Sequence, residues 1–225
     1  MAWLTLNGGC DIIYIITLRA RLLDKSEFVK ITDGGIDMKK ILLVDASPRV
    51  NGNSENIIKI LAEDLKDYEV TVFKMREKKC NPCLACGVCQ GREDQICVQK
   101  DDIAKLLPVI DGCDSIVIAT PIYNQQICSQ AKLFIERWYP FFKFDGPGMS
   151  NSSKTNKKGA LVCSFLGSSV GVTQKYADWT VSGFGQMGAS QTKAILFPQI
   201  PNRGDVLNNP EYVEKIHELA KWLAD

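Results

Sequence analysis

The chain has 225 residues, 45% of them hydrophobic and 24% charged, with a formal net charge of +1. This length suits one compact α/β domain or at most two small ones, and the composition excludes disordered and collagen-like classes. The charge balance argues against a dedicated nucleic-acid binder, which needs a marked basic excess to meet phosphates. The longest uncharged apolar run, Ile12 to Leu18, is far short of the roughly 20 residues that a bilayer span requires. No basic residue precedes it and no small-residue cleavage site follows it, so a secretory signal is not expected. The expectation is a cytoplasmic protein with no membrane partner.

Residues 1–37 carry weak strand-like runs, Ile12 to Leu18 and Phe28 to Ile31, ahead of a complete α/β alternation. Met38-Lys39-Lys40 resembles a natural N-terminus, and Gly34-Gly35 just before it is what a purine-rich ribosome-binding site yields when translated. Residues 1–37 are therefore read as an extension arising from start-site choice, with an extra hairpin on the sheet edge as the alternative. From Met38 the alternation is regular. Ile41-Leu42-Leu43-Val44 is an unbroken apolar run, as in a parallel strand covered on both faces. The polar loop Ser47 to Ser54 follows, then a helix with Ile57, Ile58, Leu61 and Leu65 on one face. Val70 to Phe73 is the second strand, a cysteine-rich loop comes next, and Asp101-Asp102 caps a helix through Ile103, Leu106 and Leu107.

Ser115 to Ala119 is the third strand, and the helix beyond it contains Ala131, Leu133, Phe134 and Trp138. Gly146 to Lys158 reads as a polar, mobile surface loop. Ala160 to Ser164 is the fourth strand, followed by a helix using Ala177, Val181 and Phe184. Ala194 to Phe197 is the fifth strand. The last helix starts at the Asn209-Pro210 cap pair and buries Val213, Ile216, Leu219, Ala220 and Leu223. Five strands alternating with helices describe a single doubly wound parallel sheet in residues 38–225, with right-handed crossovers.

Nine cysteines stand in the chain, and in a reducing compartment a disulfide framework is not expected. Cys113, Cys128 and Cys163 read as small buried hydrophobes. Cys80, Cys83, Cys86, Cys89 and Cys97 cluster in one segment, which points to metal or redox chemistry. Lone His217 reads as a surface residue on the last helix. Without it no Ser/His/Asp or Cys/His set can be built, so a hydrolase is not expected. Trp138 to Phe142 reads as core or subunit packing, with a wall of a neighbouring subunit's cofactor site as the alternative.

In open α/β sheets ligands bind at the carboxyl ends of the strands. Ser47 to Ser54 offers hydroxyls, Arg49 and a helix N-terminus, the parts of a phosphate cradle. Gly52 is its only glycine, so neither Walker A nor the GxGxxG fingerprint is present. After the third strand, Thr120-Pro121-Ile122-Tyr123-Asn124-Gln125-Gln126 combines a stiff backbone with an aromatic face. Together the two loops outline a mononucleotide carrying a flat ring.

Ser47-Pro48-Arg49 with Gly52-Asn53-Ser54, then Thr120-Pro121-Ile122-Tyr123 and Lys132 to Arg137, resembles the flavodoxin-like NADPH-dependent FMN reductase family. The resemblance implies a five-stranded sheet of order 2-1-3-4-5. It also implies FMN, with phosphate on Ser47, Arg49, Asn53 and Ser54, and isoalloxazine against Pro121, Ile122, Tyr123 and Asn124. The Ser164 to Ser168 loop would touch the far side of the flavin. Within that family, Cys83-x2-Cys86-x2-Cys89-x7-Cys97 is similar to the motif with which iron–sulfur flavoproteins hold a [4Fe–4S] cluster. Cysteines at intervals of three let a short loop wrap a cubane corner by corner. A zinc site would more naturally use two CxxC pairs on a longer arm. Uncoordinated thiols and zinc stay open beside the cluster, and Cys80 with Cys83, Cys86 and Cys89 offers an alternative register.

The expected function is an FMN-dependent oxidoreductase with a [4Fe–4S] centre, exchanging electrons with a small redox donor or acceptor or a ferredoxin. The alternative is a cluster-free NAD(P)H-dependent FMN or quinone-type reductase, for which NAD(P)H is the substrate. A flavodoxin-like carrier or a redox sensor is the non-enzymatic reading. A homodimer or homotetramer is expected.

Overall fold

The computed structural model describes residues 38–92, 94, 97–144, 150–151, 154–167 and 169–225. The readings of residues 1–37, of Ser168 and of the loop at 146–149 and 152–153 lie outside the described residues.

Chain order places β1 (Lys40–Asp45), α1 (Asn53–Asp64), β2 (Glu69–Lys74), α2 (Asp102–Gly112), β3 (Ser115–Tyr123), β4 (Gln126–Ile127) and α3 (Ser129–Glu136) first. Two-residue strands β5 (Phe142–Lys143) and β6 (Ser150–Asn151) pair with each other. β6 falls within the stretch Gly146 to Lys158 that the sequence suggests is loop. Then come β7 (Lys157–Ser164), α4 (Val170–Ser182), β8 (Ala189–Phe197) and α5 (Pro210–Ala224). The main sheet runs β2-β1-β3-β7-β8, with β4 added on β3. Counting the five parallel strands alone, this is the order 2-1-3-4-5, a flavodoxin-like fold.

Alternation along the strands builds a core on each face. Leu42 and Val44 join Ile103, Leu106, Phe134 and Val181 from α2, α3 and α4. Ile41 and Leu43 join Ile57, Leu61, Ile216 and Leu223 from α1 and α5. Successive strand side chains point to opposite faces, so an all-apolar β1 needs helices on both. Cys113, Cys128 and Cys163 are buried, as their isolation in sequence suggests.

Strand ends differ from the sequence reading in three places. β3 continues four residues past Ala119 to Tyr123 because Pro121, which has no N–H, still pairs with Ser164 of β7. β7 begins at Lys157, where Gly159 lets Phe184 pack closely: a Cβ at 159 would lie 2.9 Å from its ring. β8 begins at Ala189, since Ser190 to Lys193 form an exposed edge stretch whose polar residues hide its strand character. Just before it, Gly188 adopts φ 92°, and a Cβ there would meet the Lys154 carbonyl at 1.9 Å. Among the described residues no helix is long and apolar enough to cross a membrane.

Candidate functional site

The loops after β1, β3 and β7 come together at the carboxyl edge of the sheet. The Ala46 N–H donates to the Ala119 carbonyl at 2.9 Å, and the Cys128 thiol donates to the Ala46 carbonyl at 3.1 Å. Ser54 Oγ lies 3.5 Å from Ser164 Oγ, joining the start of α1 to the end of β7. Ser47 and Ser54 are both buried. Ser47 Oγ accepts the Arg49 N–H at 3.1 Å, which leaves its own hydrogen free to donate. Gly52 is the N-cap of α1, and no side chain caps this helix start. A Cβ at position 52 would sit 3.3 Å from Arg49 and 3.5 Å from Ser47 Oγ, so a side chain would fill the cradle. Uncapped N–H groups, two buried hydroxyls and an exposed arginine fit a phosphate group.

The cradle rests on a buried charge network. Asp45, at the end of β1, accepts the Ser47 N–H at 3.0 Å and is paired with Arg76. Arg76 also reaches Glu55 at 2.9 Å, and Glu55 accepts the Asn51 N–H at 2.6 Å and Lys74 at 3.1 Å. Burial alone would raise the Glu55 carboxyl, but the Asn51 N–H, Lys74 and Arg76 outweigh it and lower its pKa to about 2. Burial pushes the Asp45 carboxyl up against the opposing pull of Arg76, and neighbouring Glu55 adds to the rise. Asn53 is committed differently from its expected place on phosphate. Its amide donates to the Ile200 and Asn202 carbonyls at 3.1 and 2.9 Å and accepts the Val206 N–H at 3.1 Å.

Pro121, Ile122, Tyr123 and Asn124 form one β-hairpin. Tyr123 pairs with Gln126 across Asn124 and Gln125, whose φ values of 49° and 66° define a two-residue turn of the type that hairpin twist favours. The sequence suggests a loop here; the hairpin instead makes the aromatic face rigid. The Arg49 guanidinium lies 5.9 Å from the Tyr123 ring centroid, linking the loop after β1 to the hairpin after β3. Leu166 in the loop after β7 is exposed beyond Ser164.

The cysteine loop leaves β2 and returns at α2. Its neck is closed by Lys79 and Asn81 N–H groups donating to Asp102 and Asp101, each at 2.9 Å, and by Gln99 on the Pro82 carbonyl at 2.8 Å. Among its described residues, short 3-10 turns at Met75–Glu77 and Val88–Gly91 interrupt an otherwise irregular path. Cys83, Cys86, Cys89 and Cys97 line one cavity together with Arg137 and Tyr139. Cys80 does not line it; its side chain packs on the core beneath α2 and α3. Burial, then Asp101 and Asp102, push the Cys80 thiol up to about 11. Burial also raises Cys89, with Cys97 and Cys83 adding to it. Ala85 N–H donates to Cys83 Sγ at 3.4 Å. Among the described residues no three Cys, His, Asp or Glu side chains are gathered tightly enough to hold a single metal ion.

Arg137, which sequence reasoning gave no role, is the buried C-cap of α3. It pairs with Asp101 and touches both the loop backbone and Cys97. Burial would raise Asp101, but Arg137 and the N–H groups of Asn81 and Ala104 hold it below the usual carboxylate value. The Asp45, Glu55 and Arg76 network was also missed; the one signal was a charge, Asp45, at the end of an apolar strand. His217 pairs with Asp64 at 2.6 Å on the helical surface, as its exposure suggests.

Comparison with known proteins sharpens this picture. An iron–sulfur flavoprotein of Archaeoglobus fulgidus is 32% identical over 97 residues, 42% of this chain and 43% of that protein. One from Methanosarcina thermophila is 31% identical over 100 residues, 44% of this chain and 51% of that protein. The chain thus spans about half the length of the curated relatives it matches. Among solved structures, an NAD(P)H:quinone oxidoreductase from Methanothermobacter marburgensis has a TM-score of 0.64 at 12% identity, over 82% of this chain and 98% of that one. An FMN-dependent NADH-azoreductase from Bacillus anthracis str. Ames Ancestor, in complex with FMN, scores 0.62 at 15% identity, over 83% and 100%. At these identities the likeness shows the fold. The pattern of the NADPH-dependent FMN reductases matches residues 39–194, most of the sheet and both loops that build the cradle and the ring platform. This chain belongs to the NADPH-dependent FMN reductase family.

Proposed function

We propose that the protein is an FMN-dependent oxidoreductase that carries a [4Fe–4S] cluster and exchanges electrons with a small redox partner or a ferredoxin. Family membership supports FMN, and the cradle fits its phosphate. The Ser47 and Ser54 hydroxyls and the first N–H groups of α1, that of Asn53 included, would bind the phosphate, while Arg49 neutralises it. Pro121, Ile122, Tyr123 and Asn124 would flank the ring. The turn at Asn124 and Gln125 keeps that platform from yielding when the ring docks. FMN, when bound, links two-electron and one-electron chemistry. No side-chain acid or base is needed for that.

The observation that carries the cluster is the cavity shared by Cys83, Cys86, Cys89 and Cys97, which Cys80 does not line. A zinc ion gathers four sulfurs about one point at about 2.3 Å each. A cubane presents separate irons at its corners, so its ligands stand wider apart around one cavity. The names of the relatives point the same way. Anaerobic reconstitution with iron and sulfide tests the reading. About four irons per chain, with a broad visible shoulder under the flavin bands, is the expected result. Flavin bands with no iron would overturn the cluster and favour a cluster-free NAD(P)H-dependent FMN or quinone-type reductase.

A further inference from the structure

We infer that Arg137 is a positioning residue of the cysteine cavity: by donating to the Cys97 sulfur it fixes that ligand and raises the reduction potential of the cluster held there. The inference rests on the cluster reading above. Arg137 is 1% exposed, and among the described residues its guanidinium donates to Asn81, Cys97 and Asp101, all in the cysteine loop or its neck. Nη1 donates to the Asn81 carbonyl at 2.8 Å and to Asp101 Oδ2 at 2.5 Å. Nη2 donates to Asp101 Oδ1 at 3.0 Å and to Cys97 Sγ at 3.4 Å. Asp101 is itself fixed, since it caps α2 through the Ala104 N–H at 2.9 Å. The guanidinium therefore has little freedom to leave Cys97.

A buried ion pair is a poor device for stability alone, because desolvation offsets much of its attraction. A planar, permanently charged fork that reaches carboxylate, carbonyl and sulfur at once is something lysine cannot reproduce. One-electron reduction adds one negative charge to a cluster and its ligand sulfurs. A cation hydrogen-bonded to one of those sulfurs stabilises the reduced form, and such bonds are among the determinants of cluster potential.

The test uses the full chain, reconstituted anaerobically and titrated with dithionite in the presence of mediators, with wild type, Arg137→Lys and Arg137→Met side by side. The expected result is a cluster potential lowered in Arg137→Lys and lowered further in Arg137→Met, while the FMN potential stays in place. A folded Arg137→Lys protein with four irons and the wild-type potential would overturn the inference. A second measurement needs no variant. Pulsed EPR of the reduced wild-type cluster in ¹⁵N-arginine-labelled protein should show coupling to a guanidinium nitrogen, and its absence would also overturn the inference. A wild-type protein that takes up no iron would instead sink the cluster reading itself.

Discussion

Two loops leave neighbouring strands at the same edge of the sheet and are held by opposite means. Between β1 and α1 the loop is held from beneath by a charge network, its Ser47 and Asn51 N–H groups bound to Asp45 and Glu55 and both carboxylates paired with Arg76. Between β2 and α2 the loop is fixed at its ends. Asp101 and Asp102 close the neck, Arg137 clamps it, and Gln90 anchors the far turn to the Tyr139 carbonyl at 2.8 Å. The first loop has its shape before any ligand arrives. The second presents thiols along a cavity whose walls are set by anchors on either side. A preformed cradle suits a rigid phosphate, and a loop gripped at its ends suits a group that bonds to the loop itself.

The largest effect should come from breaking the second arrangement at its sulfurs. Cys97→Ser, or the same change at Cys83, Cys86 or Cys89, should abolish most iron binding and the cluster absorption while leaving FMN bound, because the flavin loops lie on other segments. Cys80→Ser should retain iron, since Cys80 does not line the cavity. Iron analysis beside the flavin spectrum reads both outcomes. Equal losses from Cys80→Ser and Cys97→Ser would mean that the ligand register begins at Cys80.

Arg76→Met attacks the first arrangement from below. It leaves Asp45 and Glu55 buried without their shared cation, and removing one partner of a buried pair costs about 3–5 kcal/mol. Urea unfolding should show that loss with an unchanged slope. A loss under about 1 kcal/mol would mean that water or Lys74 replaces Arg76 and that the cradle is not built on this network.

Arg49→Ala combined with Ser54→Ala tests the cradle's upper surface without touching its foundation. Charge-assisted hydrogen bonds contribute about 1.5–3 kcal/mol each, so FMN affinity should fall at least about tenfold while stability hardly changes. Equilibrium dialysis reads it. Undiminished flavin retention in the double variant would remove both residues from the phosphate site.

Much of this contrast could be read from the chain and part could not. β1 was legible because Ile41 to Val44 is apolar on every residue and stands between lysines and Asp45. The cysteine spacing was legible for the same reason: both signals are local. The start of β8 was not, because an edge strand needs no apolar partner on its open side and Ser190 to Lys193 look like loop. Pro121 concealed the end of β3 by mimicking a strand breaker. The role of Arg137 was hidden because its partners at 81, 97 and 101 are remote in sequence, and burial of a charge is a property of the fold. Asn53 shows the converse. The resemblance implies Asn53 at the phosphate without saying through which atoms, and the fold engages its side-chain amide with residues 200–206.

The last expected effect is a pH dependence, and it separates charge from shape in the first loop. Glu55 is held to about 2 from an ordinary value of 4.5: burial opposes ionisation, and the Asn51 N–H, Lys74 and Arg76 overcome it. A carboxyl whose folded value is depressed contributes stability that is fully present above its unfolded value and is lost as pH falls through the folded one. The window is therefore about pH 4.5 down to about 2. Glu55→Gln keeps an acceptor for the Asn51 N–H and removes a like charge from beside Asp45, so it should destabilise less than Arg76→Met does. The difference in unfolding free energy between wild type and Glu55→Gln should be constant from about pH 7 to about pH 5 and shrink below that. A difference that stays the same down to about pH 3 would show that Glu55 acts through the geometry of its hydrogen bonds alone, with its charge contributing nothing to the cradle.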